Sequence, residues 1–305
     1  MIKEFLPCDI TVLDEYYKSV TQKDVDFLNT FDADKLLYNF RVTAGVPNTK
    51  ASSSYSGWEN TRIGGHTMGH YLAAAAQAIA RGYGNCCGKD GISLLNRFEY
   101  IINSLEECQS ALGTGFVFGA TMADPSRPEL QFDLLEQGIG ADTWVPWYTT
   151  HKLINGFVES YKSAGNICTA GKTALRIALR FAEWIYARVK KWDKEVQKKV
   201  LSVEYGGMND CLYELYKCAV KENYADAEYV LFAAHCFDEE ELFEKVFESF
   251  KNGGVIPDAL NNRHANTTIP KFAGVANRCT LAQTDEAVCK TIPSRKKYLE
   301  YAEAF

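Results

Sequence analysis

Histidines beside aromatic or polar runs are the first candidates for chemistry in this sequence. His151 follows WVPWYTT, so Trp147 stands one helical turn before it, and His264 opens HANTTIPK. Aromatic rings stack on the apolar faces of sugar rings, and a neutral imidazole can hydrogen-bond hydroxyl groups. These residues therefore suggest a sugar site. A packed aromatic core around His151 explains the same pattern, so both interpretations stay open.

Carboxylates in loops form a second set of candidates. Glu204 opens EYGGMND, where the double glycine permits close approach of the backbone or an unusual turn. The alternative for Glu204 is a charge that favours the dipole of the following helix. Glycosidases usually place two carboxylates across the bond that they cleave, and spacing alone selects no pair here. The loop-placed candidates are Glu59, Glu129, Asp142 and Glu204.

Two short patterns bear on metal binding. His66 and His70 lie four residues apart in RIGGHTMGHYL and so share a helix face, but position 67 is Thr, so the HExxH pattern is missing. Cys86 and Cys87 are adjacent in RGYGNCCGKDG, without a second Cys/His pair at zinc spacing. We predict that the histidines are packed or border a cavity, that the cysteines belong to a loop insertion, and that this chain holds no metal.

Helical periodicity covers most of the chain and predicts an all-α fold. Strand signals are scarce, and the segment 113–145, rich in Gly, Pro and aromatic residues, is predicted as a long ordered loop with room for short strands. The predicted helices are 11–29, 67–81, 92–112, 148–163, 172–191, 208–221, 225–237, 239–250, 268–278 and 294–305.

A weak internal repeat organises these helices into hairpins. Asn209 follows His151 by 58 residues, and Thr267 follows Asn209 by another 58. Repeated pairs of an apolar inner helix and an amphipathic outer helix favour an α-solenoid or a closed α/α toroid. About four hairpins are visible where an (α/α)6 barrel needs six, and the chain ends inside the amphipathic pattern KKYLEYAEAF. We expect an incomplete, C-terminally truncated toroid that forms one domain over residues 1–305.

Composition excludes several classes of function. A net charge of −6 argues against nucleic acid or an anionic membrane as a partner. No apolar stretch is long enough to span a membrane, and the N-terminus lacks a signal-peptide core. The ten cysteines form no disulfide framework, and several lie in apolar helical patterns. We therefore expect free thiols and a cytoplasmic protein.

Taken together, these motifs resemble the β-L-arabinofuranosidase families of glycoside hydrolases, family 127 and especially its sister family 146. The matching blocks follow one another in the family's order and cover nearly the whole chain. They are DADKLLYNFRVTAGVP (32–47), YSGWEN (55–60), GGHTMGHYLAAAA (64–76), LEECQSALGTGF (105–116), WVPWYTTHKLINGF (144–157), EYGGMND (204–210) and HANTTIPKFAG (264–274).

The resemblance implies an (α/α)6 barrel that removes terminal β-L-arabinofuranosyl groups from plant glycans with retention of configuration. It also implies a cysteine nucleophile, held on Zn²⁺ with two more cysteines and a glutamate, and a separate glutamate as acid/base. An arabinofuranosyl-containing oligosaccharide is the implied partner. The substrate-binding residues carried over from the matching motifs are His151 and His264, with Glu204, His70, Trp58 and Trp147 as looser assignments.

The sequence departs from the family pattern in its last part. The acid/base glutamate, the Glu-x-Cys pair and the adjacent cysteines of the family follow the HANT-type motif, and only 41 residues follow His264 here. Cys279 and Cys289 lack the Glu-x-Cys context, and Cys86-Cys87 comes too early to be the family's late pair. We therefore assign no catalytic residue and no zinc ligand within this chain. We expect Zn²⁺ only in the full-length enzyme, and no turnover by these residues alone.

Two other classes of function fit the same helical pattern. One is another α/α-toroid carbohydrate enzyme, such as an unsaturated uronyl hydrolase or a sugar epimerase, which uses Asp, Glu or His pairs without a metal. The other is a helical sugar-binding domain without catalysis. Inactivation by thiol reagents would separate the cysteine mechanism from the first, and binding without hydrolysis would favour the second.

Overall fold

Side-chain caps set where many of the helices begin. Asp14 accepts the backbone N–H groups of Tyr16 and Tyr17, and Asp32 accepts those of Asp34 and Lys35. Such caps satisfy backbone donors that have no partner inside a helix. Similar caps come from Ser93, Asp193, Asp285 and Ser294.

The computed structural model describes residues 5, 7–120, 126–139, 143–253 and 258–305. Over these residues the fold is all-α, and the only β pairing described is an isolated bridge between Cys87 and Ser93. The helices are α1 (Glu15–Leu28), α2 (Ala33–Ala44), α3 (His66–Ala80), α4 (Leu94–Leu112), α5 (Leu130–Gln137), α6 (Pro146–Ala164), α7 (Thr169–Val189), α8 (Lys194–Leu201), α9 (Met208–Lys221), α10 (Ala227–Cys236), α11 (Glu240–Lys251), α12 (Ala265–Leu281), α13 (Glu286–Thr291) and α14 (Arg295–Ala304).

The chain divides into two compact units. Unit 1 comprises the described residues of Met1–Gln131 and Lys152–Trp184. In it, α4 packs against α2 and α3, and α1 packs against α3. The interior of this unit includes phenylalanines that are at most 1% exposed, among them Phe40, Phe98, Phe157 and Phe181.

Two glycines bring the backbones of α3 and α6 together in unit 1. A Cβ atom on Gly69 would lie 2.0 Å from the carbonyl oxygen of Lys152, and one on Gly156 would lie 2.5 Å from that of Gly69. No side chain fits in so little space, so glycine is required at this crossing.

Unit 2 comprises the described residues of Phe132–His151 and Ile185–Phe305. Helix α9 packs against α10 and α12, and α14 packs against α11 and α12. Its interior is rich in aromatic side chains, among them Trp147, Tyr205, Tyr213 and Phe237. The single domain predicted for residues 1–305 stays a prediction.

The predicted all-α class is confirmed, and each of the ten predicted helices has a counterpart. Four helices were not predicted: α2, α5, α8 and α13. The prediction of a long loop for segment 113–145 was wrong in part, because the segment contains α5, and its described residues form no strand. No helix in the described part of the chain has the length and apolarity needed to cross a membrane.

Candidate functional site

The first turns of α6 bring Tyr148 and His151 together in unit 2. Their rings meet edge to face with centroids 6.3 Å apart, and His151 is only 6% exposed. The Nδ1 atom of His151 accepts the backbone N–H of Gly207 at 3.2 Å. An acceptor at Nδ1 places the proton of the neutral ring on Nε2. The ring is thus held in one orientation and one tautomer.

The double glycine of EYGGMND packs directly on this imidazole. Gly206 has a φ of +59°, and a Cβ there would lie 2.5 Å from Nδ1 of His151. A Cβ on Gly207 would lie 2.7 Å from Pro270 and 3.2 Å from Nε2 of His151. The predicted close backbone approach is therefore present, and the group approached is the imidazole of His151.

The start of α12 supplies the third part of the site. His264 precedes α12 and lies with Nδ1 3.5 Å from Oε1 of Glu204, where its side chain is 61% exposed. Asn266 donates from Nδ2 to the hydroxyl of Tyr148 at 3.0 Å. Because all these residues lie in unit 2, the segments that begin α6, α9 and α12 meet in one place. We call the set Tyr148, His151, Glu204, His264 and Asn266 the imidazole cluster.

Helix α12, which carries Asn266 of the cluster, also carries a buried lysine. Lys271 Nζ lies 2.7 Å from Oε2 of Glu239 and 3.8 Å from the ring centroid of Tyr205. Burial lowers the pKa of Lys271, and the Glu239 carboxylate opposes that change. Asn209 donates from Nδ2 to the carbonyl oxygen of Lys271 at 3.0 Å. The repeat in the sequence singled out Asn209, but only the structure shows that it ties α9 to α12.

Trp147 does not lie at this site as a sugar platform. It is 1% exposed, and rings of Phe132, Trp192 and Phe237 surround it at centroid distances of 4.9, 5.6 and 4.9 Å. Ring faces covered by protein have no surface left for a sugar, so its assignment as a substrate-binding residue is corrected to a core residue. The core alternative considered for the aromatic run is right for Trp147.

The remaining assignments, His70 and Trp58, lie in unit 1. Trp58 is 62% exposed, in a short turn of 3-10 helix next to Glu59. His70 lies in α3, and partial burial together with the positive charge of Lys152 lowers its pKa. The two residues belong to a different unit from the imidazole cluster, and their role in sugar binding stays a prediction.

Glu59 stands out in unit 1 for a reason that spacing did not reveal. Its carboxylate accepts the backbone N–H groups of Gly65 at 2.7 Å and Thr67 at 3.2 Å, and Nδ1 of His66 lies 3.0 Å away. Burial opposes its ionisation, but these hydrogen bonds outweigh burial and lower the pKa of Glu59. It therefore caps α3 as a carboxylate. Of the other loop candidates, Glu129 is described outside any helix, and Asp142 lies outside the described residues.

The residues described here do not fit the zinc site that the resemblance implies. They contain no group of three or more His, Cys, Asp or Glu side chains arranged to hold a metal ion. Cys86 and Cys87 lie in a loop of unit 1, and Cys279 is buried in α12.

Helical hairpins whose starts gather imidazole, carboxylate and amide groups fit the class of helical carbohydrate-active enzymes. Residues 9–294 match the family described as beta-L-arabinofuranosidase, GH127 catalytic domain. The chain therefore belongs to this family of glycoside hydrolases, and a carbohydrate is its substrate. No curated protein matched the chain. The resemblance to family 127 is confirmed, and the preference for family 146 stays a prediction.

Proposed function

We propose that the protein acts on terminal β-L-arabinofuranosyl groups of plant-type glycans and that the imidazole cluster grips the sugar. The observation that carries the proposal is the convergence of α6, α9 and α12, which is fixed by hydrogen bonds from Gly207 to His151 and from Asn266 to Tyr148. A preorganised set of polar groups loses little conformational entropy when it binds a ligand.

Each group in the cluster has a defined capacity. His151 can donate only from Nε2, since Nδ1 already accepts from Gly207. Glu204 accepts hydroxyl protons, and its carboxylate is 44% exposed, so it is open to solvent and ligand. A protonated His264 forms an ion pair with Glu204, but pairs this exposed contribute only about 0–1 kcal/mol. A sugar hydroxyl can therefore compete for Glu204 at little cost.

The retaining mechanism with a cysteine on zinc rests on family membership alone. When bound in an enzyme with the matching ligands, zinc would hold the thiolate and lower its pKa. The described residues supply no such ligand set. We propose that the described residues bind the sugar and, without that ligand set, do not cleave it by this chemistry.

Calorimetric titration with a short L-arabinofuranosyl oligosaccharide tests the binding role. His151→Gln and His264→Ala should each weaken binding about tenfold or more, the effect of losing about one hydrogen bond to a well-placed partner. His235→Gln is the matched control. His235 lies in α10 and does not belong to the cluster, and burial and the nearby Arg278 lower its pKa to about 3. Unchanged affinity in both cluster variants would overturn the assignment.

A second measurement tests the lack of turnover. The 305-residue protein should release no nitrophenol from a nitrophenyl β-L-arabinofuranoside, with or without added zinc. Hydrolysis, or one tightly bound equivalent of zinc, would refute this part of the proposal while leaving the sugar-binding role intact.

A further inference from the structure

Glu239 stands at the N-terminal end of α11, but its side chain does not cap that helix. It makes no hydrogen bond to the first turn, although side chains at this position commonly do. Both carboxylate oxygens are instead bound by side chains from other parts of unit 2. The side chain is only 14% exposed, so these hydrogen bonds are shielded from water and stronger than they would be on the surface.

The donors to this carboxylate come from three different segments. Oε2 accepts the hydroxyl of Tyr205 at 3.1 Å and Nζ of Lys271 at 2.7 Å. Oε1 accepts Nη2 of Arg263 at 3.2 Å. Tyr205 is buried and precedes α9, Arg263 precedes α12, and Lys271 lies inside α12. One side chain thus joins the segment before α9, the segment before α12 and α12 itself.

Two of these donors are direct chain neighbours of residues in the imidazole cluster. Tyr205 follows Glu204, and Arg263 precedes His264. The side chains of Glu204 and His264 lie 3.5 Å apart and are 44% and 61% exposed, so packing alone does little to hold the pair. Since Glu239 binds the residue next to each of them, it sets the separation of the two segments.

Glu239 also supplies the counter-charge for the buried Lys271. That lysine is 3% exposed, and a buried charge needs a partner. Burial lowers the pKa of Lys271, whereas the negative charges of Glu239 and Glu204 oppose this change. With Glu239 bound to Lys271, Glu204 is left to face His264 and to accept sugar hydroxyls. Without Glu239, the buried ammonium would draw Glu204 away from that position.

We propose that Glu239 is a positioning residue, which holds Glu204 and His264 at the separation at which both can bind one sugar. It acts through Tyr205 and Arg263. The proposal rests on the proposed function for the identity of the ligand, but the arrangement can be tested without any sugar. Binding groups that are held in place lose less conformational entropy when a ligand binds, so removal of the residue that holds them weakens binding.

Nuclear magnetic resonance of the histidine ring nitrogens tests the arrangement without a ligand. The chain has five histidines, and His264→Ala assigns the signals of His264 by their loss. Glu204→Gln should shift these signals, because it removes the carboxylate 3.5 Å away. Arg263→Gln and Glu239→Gln should shift them in the same direction, and neither should add to the shift when combined with Glu204→Gln. Arg263 is 36% exposed, so its variant should keep the fold even if Glu239→Gln, which deprives Lys271 of its partner, does not.

Glu244→Gln is the matched control. Glu244 lies in the same helix and binds the same two kinds of donor, Lys297 and the hydroxyl of Tyr301, neither of which belongs to the cluster. This variant should leave the His264 signals unchanged. A shift as large as that in Glu239→Gln would show a general loosening of α11 and would overturn the positioning role.

Calorimetric titration with a short L-arabinofuranosyl oligosaccharide measures the effect on binding. Arg263→Gln should weaken binding about threefold to tenfold. Combined with His264→Ala, it should bind no more weakly than His264→Ala alone, since Arg263 acts through the position of His264. Additive losses would mean that Arg263 contacts the sugar itself, which contradicts the proposal.

The failures of the two proposals are distinguishable. If the wild type binds no sugar but the His264 signals respond as expected, the proposed function fails and the positioning role stands. If the sugar binds but the His264 signals do not move in Arg263→Gln or Glu239→Gln, the positioning role is overturned and the proposed function stands.

Discussion

His151 is held in place by residues that have no side chain. Gly206 and Gly207 press their backbone on the imidazole, and a donated N–H fixes its tautomer. The sequence shows a histidine in one motif and two glycines in another, 55 and 56 residues later. The sequence singles out both motifs but does not show that they are in contact, because the contact between the glycines and His151 depends on how α6 and α9 pack.

Because the sequence does not show how helices pack, it also gave the wrong assignment of Trp147 as a substrate-binding residue. Residue type and spacing treat Trp147 and Trp58 alike, as aromatic residues near a histidine. Burial separates them, since Trp147 is 1% and Trp58 62% exposed. Sugar-binding and core-forming tryptophans have the same sequence signature, so only packing decides between them.

The lowered pKa of Glu59 predicts how this single side chain makes the stability of the fold depend on pH. A carboxyl group whose pKa is lower in the folded state stabilises the fold above its ordinary pKa of 4.5, and that contribution is lost as pH falls through the folded value. Glu59→Gln should cost about 1 kcal/mol at pH 7, as expected for a weakened helix cap.

Urea unfolding of the wild type and of Glu59→Gln, measured at a series of pH values from 7 to well below 4.5, checks this predicted loss of stability. The difference between the two free energies of unfolding should shrink as pH falls below 4.5, where Glu59 of the unfolded chain becomes protonated, and down through the lowered pKa of folded Glu59. A difference that stays constant across this pH range would show that the charge of Glu59 contributes nothing.

At the scale of elements, the sequence predicts long helices well and short ones poorly. Helices such as α4 and α7 run for 19 and 21 residues, so their apolar stripe repeats often enough to be read. Helices α5 and α8 have only eight residues each and α13 has six. They are stabilised by their surroundings more than by their own periodicity. Trp192 and Arg188, for example, both donate to Glu136 in α5.

The crossing of α3 and α6 gives the second prediction. In an open helix, glycine to alanine adds about 1 kcal/mol of stability through helix propensity. At Gly69 the sign should reverse, because the new Cβ would lie 2.0 Å from the carbonyl oxygen of Lys152 and the two backbones would have to separate. We expect Gly69→Ala to lose about 1–3 kcal/mol, the usual cost of overpacking.

Chemical denaturation of Gly69→Ala beside Gly84→Ala measures this effect. Gly84 is a fair control, because a Cβ there would make ordinary contact with Leu95 at 3.5 Å. It should change stability by less than about 1 kcal/mol. Stabilisation in Gly69→Ala would mean that α3 and α6 do not approach as closely as described.

At the scale of the whole molecule, the family and the all-α class follow from the sequence because they depend on motifs in order and on repeated helices. The 58-residue spacing singled out His151, Asn209 and Thr267, and these residues lie near the starts of α6, α9 and α12. The repeat thus predicts which helix starts come together at the imidazole cluster. The division into two units and the three side chains that bind Glu239 could not be predicted, since both depend on contacts between residues distant in sequence.

Alkylation of the ten cysteines tests, in one experiment, which parts of the chain are buried. Cys8, Cys87 and Cys289 are exposed, whereas Cys108, Cys211, Cys218 and Cys279 are buried. Burial raises the pKa of Cys108 to about 12 and that of Cys279 to about 11, which suppresses the reactive thiolate as well as access to it. Alkylation of the native protein should therefore modify the three exposed cysteines first, and the four buried ones only after unfolding.

Peptide mass spectrometry after timed alkylation reads this order directly, and Cys87→Ser should remove one of the three early adducts. Added zinc should leave the order unchanged, because the described residues form no cluster that would shield a thiol by ligation. Rapid modification of Cys211 or Cys218 would show that α9 does not pack as described. The position of Gly207, which precedes α9 and donates to His151, would then be unsupported as well. The rate at which Cys211 and Cys218 are alkylated therefore measures whether α9, which begins at the imidazole cluster, is packed in the core of unit 2.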